Sequence, residues 1–158
     1  MNNKVCFFVN SHLFTVKHRL PLAKFLKEKN YIVHFIVPDE SKAHEEVQKN
    51  GFPFKTVQLS RSKFNFFSEM KSLIMLFNII KFEKPDFIIN ATIKPVLYGT
   101  LLSSILKVPY IINLITGLGS VFTNNKLTNI KRYLIQTIYF LLFKFLKQNV
   151  IFQNKNDF

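Results

Sequence analysis

The chain has 158 residues, of which 48% are hydrophobic, and it carries a formal net charge of +13 and a single cysteine. This length fits one domain with ample apolar material for a core, and one thiol excludes a disulfide framework. The amino terminus enters a predicted strand that is too short for the apolar region of a secretory signal, which favours a cytoplasmic protein.

The positive charge is compatible with two kinds of acidic partner, nucleic acid and an anionic membrane surface. It also fits a biased composition in which lysines are scattered over solvated faces. Only Arg19, Arg61 and Arg132 are arginines, and lysine lacks the planar fork that favours the recognition of bases and phosphates. We therefore predict no nucleic-acid partner and leave the membrane surface open.

The first strand and helix are separated by a polar loop. Residues 4–9 form a continuous apolar run, as expected of a strand buried on both faces, and Cys6 within it is expected to pack as a small hydrophobic side chain. A loop at 10–18 then precedes a helix at 20–29, which has Pro21 in its first turn. The inward stripe of this helix is predicted to consist of Leu22, Ala23, Phe25 and Leu26.

Strands at 31–37 and 54–59 flank a second helix at 41–50, for which Ser41 is the predicted N-cap and Gly51 the C′ residue. A third helix follows at 67–82. Its apolar residues recur at helical spacing, which predicts an inward stripe of Met70, Leu73, Ile74, Phe77 and either Ile79 or Ile80.

The stretch 84–123 is the centre of the pattern. Short β-branched strands at 86–89 and 110–114 each follow a proline, and the segment 94–107 between them has the length of a crossover helix. A strand, a helix and a strand in this order form a βαβ unit, whose polar loops meet at the carboxyl edge of a parallel sheet. Ligands bind at that edge in such sheets.

A helix at 128–147 and a short strand at 150–152 complete the alternation. This helix is apolar on more than one side but is too interrupted to span a membrane, so it is either well buried or packs one face on the sheet and presents the other to a further domain or a lipid interface. The whole pattern predicts an α/β fold, with a doubly wound, mostly parallel six-stranded Rossmann-like sheet.

Three loops at the carboxyl edge carry the candidate ligand contacts. The loop after the first strand lacks the glycine-rich turn of a dinucleotide site, which disfavours NAD, and no metal or catalytic-triad motif occurs in the chain. At the first turn of the crossover helix, backbone N–H groups and a lysine can neutralise an anion. The candidate residues are Asn10, His12, His18 and Arg19 in the first loop, Thr92 and Lys94 in the second, and Thr116, Gly117 and Gly119 in the third.

Several short motifs, in this order, resemble the N-terminal domain of glycosyltransferase family 4-like enzymes that build cell-surface or lipid-linked glycans. The motifs are His18-Arg19-Leu20-Pro21-Leu22-Ala23, Gly51-Phe52-Pro53-Phe54, Leu59-Ser60-Arg61-Ser62, Thr92-Ile93-Lys94-Pro95 with Tyr98-Gly99, Thr116-Gly117-Leu118-Gly119 with Val121-Phe122-Thr123, and Val150-Ile151-Phe152-Gln153-Asn154. Together they cover essentially the whole chain.

The resemblance implies a retaining GT-B enzyme with no obligatory metal or other cofactor. It implies a nucleotide-sugar donor and a glycan or polyprenyl-diphosphate-linked acceptor, with docking on the inner face of the cytoplasmic membrane. In that family the N-terminal domain binds the acceptor and the C-terminal domain binds the donor. We therefore expect residues 1–158 to be one acceptor-side domain, with the donor-binding domain absent and the chain inactive alone. No catalytic residue is assigned.

Two other hypotheses about the function remain open. A sugar-nucleotide epimerase has the same two-domain architecture, although two motifs together, Thr92-Ile93-Lys94-Pro95 and Thr116-Gly117-Leu118-Gly119 with Val121-Phe122-Thr123, point to a transferase. A non-catalytic partner module or a decayed fragment would carry the same motifs without activity of its own.

Overall fold

The computed structural model describes residues 3–9, 13–59, 66–115 and 129–153, which form one parallel sheet with helices on both faces. The strands are β1 (Lys4–Val9), β2 (Ile32–Pro38), β3 (Phe54–Val57), β4 (Phe87–Ala91), β5 (Tyr110–Ile115) and β6 (Asn149–Phe152). The helices are α1 (Leu13–Glu28), α2 (Ser41–Lys49), α3 (Phe66–Glu83), α4 (Thr100–Ile105), which directly follows a π-helical turn (Pro95–Gly99), and α5 (Asn129–Phe145).

The strand order is β3-β2-β1-β4-β5-β6, and all five pairings are parallel. Strands β1 to β3 are added toward one side of the sheet and strands β4 to β6 toward the other. The carboxyl ends of β1 and β4, where the order reverses, therefore form the topological switch point. The predicted doubly wound, six-stranded α/β fold is thus confirmed.

Strand β1 supplies both layers of the core because its side chains alternate between the two faces of the sheet. Phe7 and Val9 pack in the layer beneath α1 and α2, whereas Cys6 and Phe8 pack in the layer beneath α3 and α4. The predicted packing role of Cys6 is confirmed. Burial, together with the nearby Glu83 carboxylate, raises the pKa of its thiol to about 12.

Helix α1 begins at Leu13, so the predicted loop at 10–18 and the helix start at residue 20 are wrong. Pro21 lies inside the helix, and it is tolerated there because it is on the exposed side, where water can hydrate the carbonyl that loses its N–H partner. The predicted inward stripe is half right. Ala23 is buried, but Leu22 and Phe25 are 39% and 52% exposed.

Helix α3 differs from its predicted orientation. Met70 and Ile74, which were expected to face inward, are 42% and 56% exposed. The prediction is right for Ile80, which is buried, and for Leu73 and Phe77, which pack partly buried against the core. The buried face consists of Glu69, Ser72, Leu76, Ile80 and Glu83. Hydrophobic side chains surround this helix on all sides, so periodicity alone does not fix the inward face, and hydrogen bonds of the buried polar residues compensate for their desolvation.

Helix α2 ends as predicted and begins differently. Gly51 has a φ of 71° directly after the C-cap, which confirms it as the C′ residue. The N-cap is Glu40, in extended conformation, rather than Ser41, and its side chain makes no capping hydrogen bond.

Helix α5 packs with one face and exposes the other, which agrees with the second of the two alternatives for this helix and not with a well-buried one. Leu142 is buried, whereas Tyr133, Phe140 and Phe145 are between 61% and 73% exposed. Within the described ranges, no helix has the length and apolar character needed to cross a bilayer.

Candidate functional site

The candidate site lies at the carboxyl edge of the sheet, where β1, β4 and β5 end at the switch point. Four of the predicted site residues, His18, Arg19, Thr92 and Lys94, belong to the described part of the chain. The other five lie outside the described residues, and they are Asn10, His12, Thr116, Gly117 and Gly119.

Thr92 follows the last residue of β4 and has a φ of 81°. A β-branched residue rarely adopts positive φ, because its side chain crowds the backbone there. The Thr92 carbonyl accepts a hydrogen bond from the Val96 N–H at 3.0 Å, which leads the chain into the π-helical turn. Strained residues and π turns both concentrate at functional sites, and here they occur together at the carboxyl edge.

The side chain of Lys94 is paired with a carboxylate from another element. Its Nζ contacts Glu69 Oε1 from the first turn of α3, and the Tyr98 hydroxyl donates to Glu69 Oε2 at 2.6 Å. Glu69 is only 5% exposed, so the two donors compensate for the burial of its charge. Burial, together with the Glu69 hydrogen bond and charge, raises the pKa of Tyr98, which keeps its hydroxyl protonated as a donor.

Sequence reasoning did not single out Glu69. The sequence does contain one indication that Glu69 is special. It and Glu83 are the only acidic residues of α3, whose other residues are mainly apolar. A buried carboxylate in such a helix requires a cationic or hydrogen-bonding partner. Which partner it has depends on how α3 lies against the β4 loop, and a single sequence does not contain that information.

A buried amide network supports the site from within the sheet. Asn90 of β4 donates from Nδ2 to Asn113 Oδ1 at 2.9 Å, and Asn113 of β5 donates to Thr100 Oγ1 at 2.8 Å and to Gln148. A Cβ placed on Gly99 would lie 2.1 Å from Asn90 Oδ1, so the π-helical turn packs against this amide. The network therefore fixes the turn that carries Tyr98 relative to β4 and β5.

His18 and Arg19, which the sequence suggests as a pair, have different surroundings. His18 is exposed, whereas Arg19 is only 6% exposed. The Arg19 Nη2 donates to Gln153 Oε1 at 3.1 Å, and its Nε is buried without a hydrogen-bond acceptor in the described part of the chain. Burial lowers the pKa of the guanidinium from its usual value. Gln153 immediately follows β6, so this contact also lies at the carboxyl edge.

A second charged cluster occupies the opposite edge of the sheet. Glu83, the last residue of α3, accepts from Lys4 Nζ at 2.5 Å and pairs with His34 Nδ1 at 2.8 Å. The Asp86 carboxylate accepts from the Lys4 backbone N–H at 3.0 Å. This cluster lies at the amino ends of the strands, where a parallel sheet offers no ligand crevice, and we assign it a structural role.

Across the described ranges, no group of three or more His, Cys, Asp or Glu side chains is arranged to hold a metal ion. The candidate side chains described at the carboxyl edge are hydrogen-bond donors and charged groups. Such groups can bind hydroxyls and phosphates and can stabilise charge that develops during bond cleavage.

Proteins of known structure share this fold. UDP-GlcNAc 2-epimerase from Methanocaldococcus jannaschii aligns with a TM-score of 0.61 and 25% identity, over 85% of this chain and 37% of that one. MurG from Acinetobacter baumannii aligns with a TM-score of 0.60 and 13% identity, over 84% of this chain and 39% of that one. At 13% identity the second likeness concerns the fold alone.

A relative from Campylobacter jejuni is more informative. It is N,N'-diacetylbacillosaminyl-diphospho-undecaprenol alpha-1,3-N-acetylgalactosaminyltransferase, and it is 31% identical over 140 residues, which are 88% of this chain and 37% of the relative. The chain thus spans well under half the length of the relatives it matches. The sequence model of the family described as glycosyl transferase 4-like matches residues 4–154, and the protein therefore belongs to the glycosyl transferase 4-like family.

Proposed function

We propose that this chain forms the acceptor-side part of a retaining glycosyltransferase of GT-B architecture. The reaction would transfer a hexosyl or N-acetylhexosaminyl group from a nucleotide sugar to a lipid-linked or surface-glycan acceptor. The observation that carries this proposal is the 31% identity, over 88% of the chain, to a transferase whose name specifies a diphospho-undecaprenol-linked acceptor.

The extent of that match supports a division of acceptor and donor binding between this chain and further polypeptide. The chain aligns with 37% of the relative, so we assign donor binding to polypeptide outside residues 1–158 and acceptor binding to the edge described here. The relative's name also specifies an alpha linkage. Formation of such a linkage from an α-linked nucleotide sugar retains the anomeric configuration, which supports the retaining mechanism.

The paired charges near Thr92 suit sugar hydroxyls better than an anion. Glu69 neutralises Lys94, and the ammonium group retains N–H donors beyond the one in the ion pair. Such a donor can orient a sugar hydroxyl, and because the hydroxyl is neutral its burial does not require the desolvation of a full charge. The remaining proposed contacts are His18 and Arg19, together with Asn10, His12, Thr116, Gly117 and Gly119 outside the described residues.

Ligand-detected NMR and calorimetry on the 158-residue chain test this assignment. We expect binding of a polyprenyl-diphosphate-sugar analogue and no binding of a UDP-sugar. Lys94→Gln should weaken acceptor binding by about tenfold, because a charge-assisted hydrogen bond is lost. The matched control is Lys107→Gln, which removes an exposed lysine near the opposite edge of the sheet. Binding of the UDP-sugar in place of the acceptor analogue would contradict the assignment.

A second candidate function is a half of a sugar-nucleotide epimerase, because the M. jannaschii epimerase shares 25% identity over 85% of the chain. An epimerase binds UDP-GlcNAc and needs no acceptor. If calorimetry shows that the chain binds UDP-GlcNAc and does not bind the acceptor analogue, the epimerase function is favoured over the transferase.

We further propose that the chain docks peripherally on an anionic membrane leaflet through exposed apolar side chains of α3 and α5, two helices that right-handed crossovers place on the same face of the sheet. This apolar docking surface consists of Phe66, Phe67, Met70, Ile74, Phe140, Leu141 and Phe145, all of which are exposed. Lys144 lies 5.4 Å from the centre of the Phe140 ring and 5.5 Å from that of Phe145. Aromatic side chains beside lysines suit the boundary between headgroups and acyl chains.

Vesicle co-sedimentation tests the docking surface. The double variant Phe67→Ser, Phe140→Ser should bind phosphatidylglycerol vesicles several-fold more weakly than the unaltered chain does at low salt. The matched control is Phe25→Ser on the other face of the sheet, where Phe25 is 52% exposed and lies 5.6 Å from Lys29 Nζ. An equal loss in both variants, or no binding by the unaltered chain, would refute this docking surface.

A further inference from the structure

The geometry points to Arg19 as the residue that binds the diphosphate group of a ligand at the carboxyl edge of the sheet. This inference rests on the proposed function, because it names the chemical class that the acceptor or donor presents to this residue. Its basis is an incompletely satisfied guanidinium at a place where ligands bind.

Arg19 is a buried cation without a described counter-charge. It is 6% exposed, and none of the ion pairs among residues 3–9, 13–59, 66–115 and 129–153 involves it. A buried guanidinium is ordinarily compensated by a carboxylate or a phosphate, since desolvation of an unpaired charge is costly. The other buried ionic groups of the described chain follow that rule, with Glu69 paired to Lys94 and Glu83 paired to Lys4.

The hydrogen bonds of Arg19 are also incomplete. The Nη2 donates to the Gln153 amide oxygen at 3.1 Å, while Nε has no acceptor among the residues that the structure describes. Gln153 is exposed, and its oxygen is a neutral acceptor on a side chain that can turn toward solvent. An anionic oxygen would form a stronger hydrogen bond with the guanidinium and can replace that of Gln153.

A diphosphate fits these unsatisfied groups better than a single neutral acceptor does. The Nε and an Nη of arginine form a planar pair of donors that matches two oxygens of a phosphate. Lys94, a second cation near this edge, is already neutralised by Glu69. The charge available for a phosphate is therefore that of Arg19, whereas the Lys94 pair suits hydroxyls.

The alternative is that Arg19 only supports the packing between α1 and the end of β6. Replacement by an apolar side chain of similar length would then preserve every ligand interaction. Buried charges of this kind can often be replaced by hydrophobic residues without loss of stability, so the folded state of Arg19→Met can be compared directly with the unaltered chain.

The experiment is titration of the 158-residue chain with inorganic pyrophosphate, UDP and geranyl diphosphate. Calorimetry gives the affinity, and NMR follows the Arg19 Nε–Hε resonance. We expect that resonance to shift on addition of pyrophosphate. Arg19→Met should weaken pyrophosphate binding by about tenfold or more, with Arg19→Lys between the two. The matched control, Lys24→Gln, removes an exposed charge from the same helix and should change affinity less than about twofold.

The two organic ligands identify the source of the diphosphate. Preference for geranyl diphosphate assigns Arg19 to the acceptor, and preference for UDP assigns it to the donor. Absence of pyrophosphate binding by the unaltered chain, or equal binding by Arg19→Met, would overturn the inference. If Arg19→Met fails to fold, an unmoved Nε–Hε resonance in the unaltered chain under saturating pyrophosphate would do the same.

Failure of this inference can be separated from failure of the proposed function. Binding of a neutral acceptor sugar glycoside that lacks phosphate tests the hydroxyl contacts near Lys94 alone. Retained glycoside binding with no role for Arg19 would leave the transferase proposal in place. If the chain binds neither the glycoside nor pyrophosphate, the acceptor-side assignment as a whole is contradicted.

Discussion

The two carboxylates of α3 have similar surroundings but lie at opposite edges of the sheet. Glu69, in the first turn, and Glu83, the last residue, are both 5% exposed. Each is paired with one lysine and with one further ring-bearing side chain, Tyr98 for Glu69 and His34 for Glu83. The chemistry of the two pairs is thus alike, and what differs is the edge of the sheet at which each lies.

The two carboxylates differ in the backbone that surrounds them. At the carboxyl edge, Glu69 contacts a loop that begins with the strained Thr92 and continues into a π-helical turn. At the amino edge, Glu83 joins residues of β1 and β2, and Asp86 completes the cluster by a backbone hydrogen bond to Lys4. A buried ion pair is therefore no guide to function by itself. Positive φ also occurs beside Glu83, at Lys84 with a φ of 45°, and what distinguishes Thr92 is that its side chain is β-branched.

The largest effect is expected at the structural end of α3. Glu83→Gln leaves Lys4 and His34 without a charged partner in a buried site, so we expect a loss of about 2–4 kcal/mol in the free energy of unfolding. Urea denaturation measures it. The matched control is Glu28→Gln at the exposed end of α1, where the change should stay within about 0.5 kcal/mol. Equal effects in the two variants would show that the Glu83 cluster is not structural.

Acid should destabilise the protein through the same cluster. Burial lowers the pKa of His34 below its usual 6.5, although the Glu83 carboxylate opposes this. Burial raises the pKa of Glu83, but hydrogen bonds and charges from Lys4 and His34 outweigh this and hold it below its usual 4.5. Both groups take up protons more readily in the unfolded chain, so the stability that they contribute is lost as pH falls.

The predicted pH profile has two parts. The urea midpoint should fall below about pH 6.5 because of His34, and it should fall further below about pH 4.5 because of Glu83. In His34→Gln the first part should disappear and the second should remain. A midpoint that is constant from pH 7 to pH 4 would contradict the assignment of these shifts.

A smaller effect is expected at the end of α3 that lies at the carboxyl edge of the sheet. Glu69→Gln keeps an acceptor for the neutral Tyr98 hydroxyl, so only Lys94 loses a charged partner, whereas Glu83→Gln affects both Lys4 and His34. We therefore expect a loss of only about 1–2 kcal/mol in stability. Acceptor binding, measured by calorimetry, should fall by more than this loss of stability accounts for, because Lys94 loses the partner that positions it. A loss of stability as large as that of Glu83→Gln would remove the distinction between the two ends.

The smallest expected effect is a gain. Thr92→Gly relieves the positive φ of 81° and should stabilise the protein by up to about 1 kcal/mol, as measured by thermal unfolding. Lys107→Gly is the matched control, because Lys107 has a φ of 56° near the amino edge. Both should gain stability, but only Thr92→Gly should weaken acceptor binding. Equal binding by the two variants would show that the strain at Thr92 has no functional role.

Much of the fold is predictable from the sequence. The strands are continuous β-branched and aromatic runs between turn residues, and their alternation with helices fixes a parallel sheet. Gly51 was located because the C′ position favours a residue that tolerates positive φ. The start of α1 was missed because Pro21 resembles a first-turn proline, and an internal proline on an exposed face gives the same local signal.

The site is less predictable because its partners come from distant parts of the chain. Thr92, Lys94 and Arg19 follow from their places beside strands or from the resemblance to the family. Glu69 is 25 residues from Lys94 in sequence, and Gln153 is 134 residues from Arg19. These contacts depend on the packing of α3 and on the far edge of the sheet, and no local pattern encodes either.

The single thiol of Cys6 can serve as a labelling probe for transient opening of the core. Its side chain is fully buried in the layer beneath α3 and α4, and only a thiolate reacts with alkylating reagents. Modification must therefore wait until the layer of α3 and α4 opens away from the sheet. The rate of labelling under native conditions would report the population of opened molecules, as amide exchange does, but from one defined position at the centre of the fold.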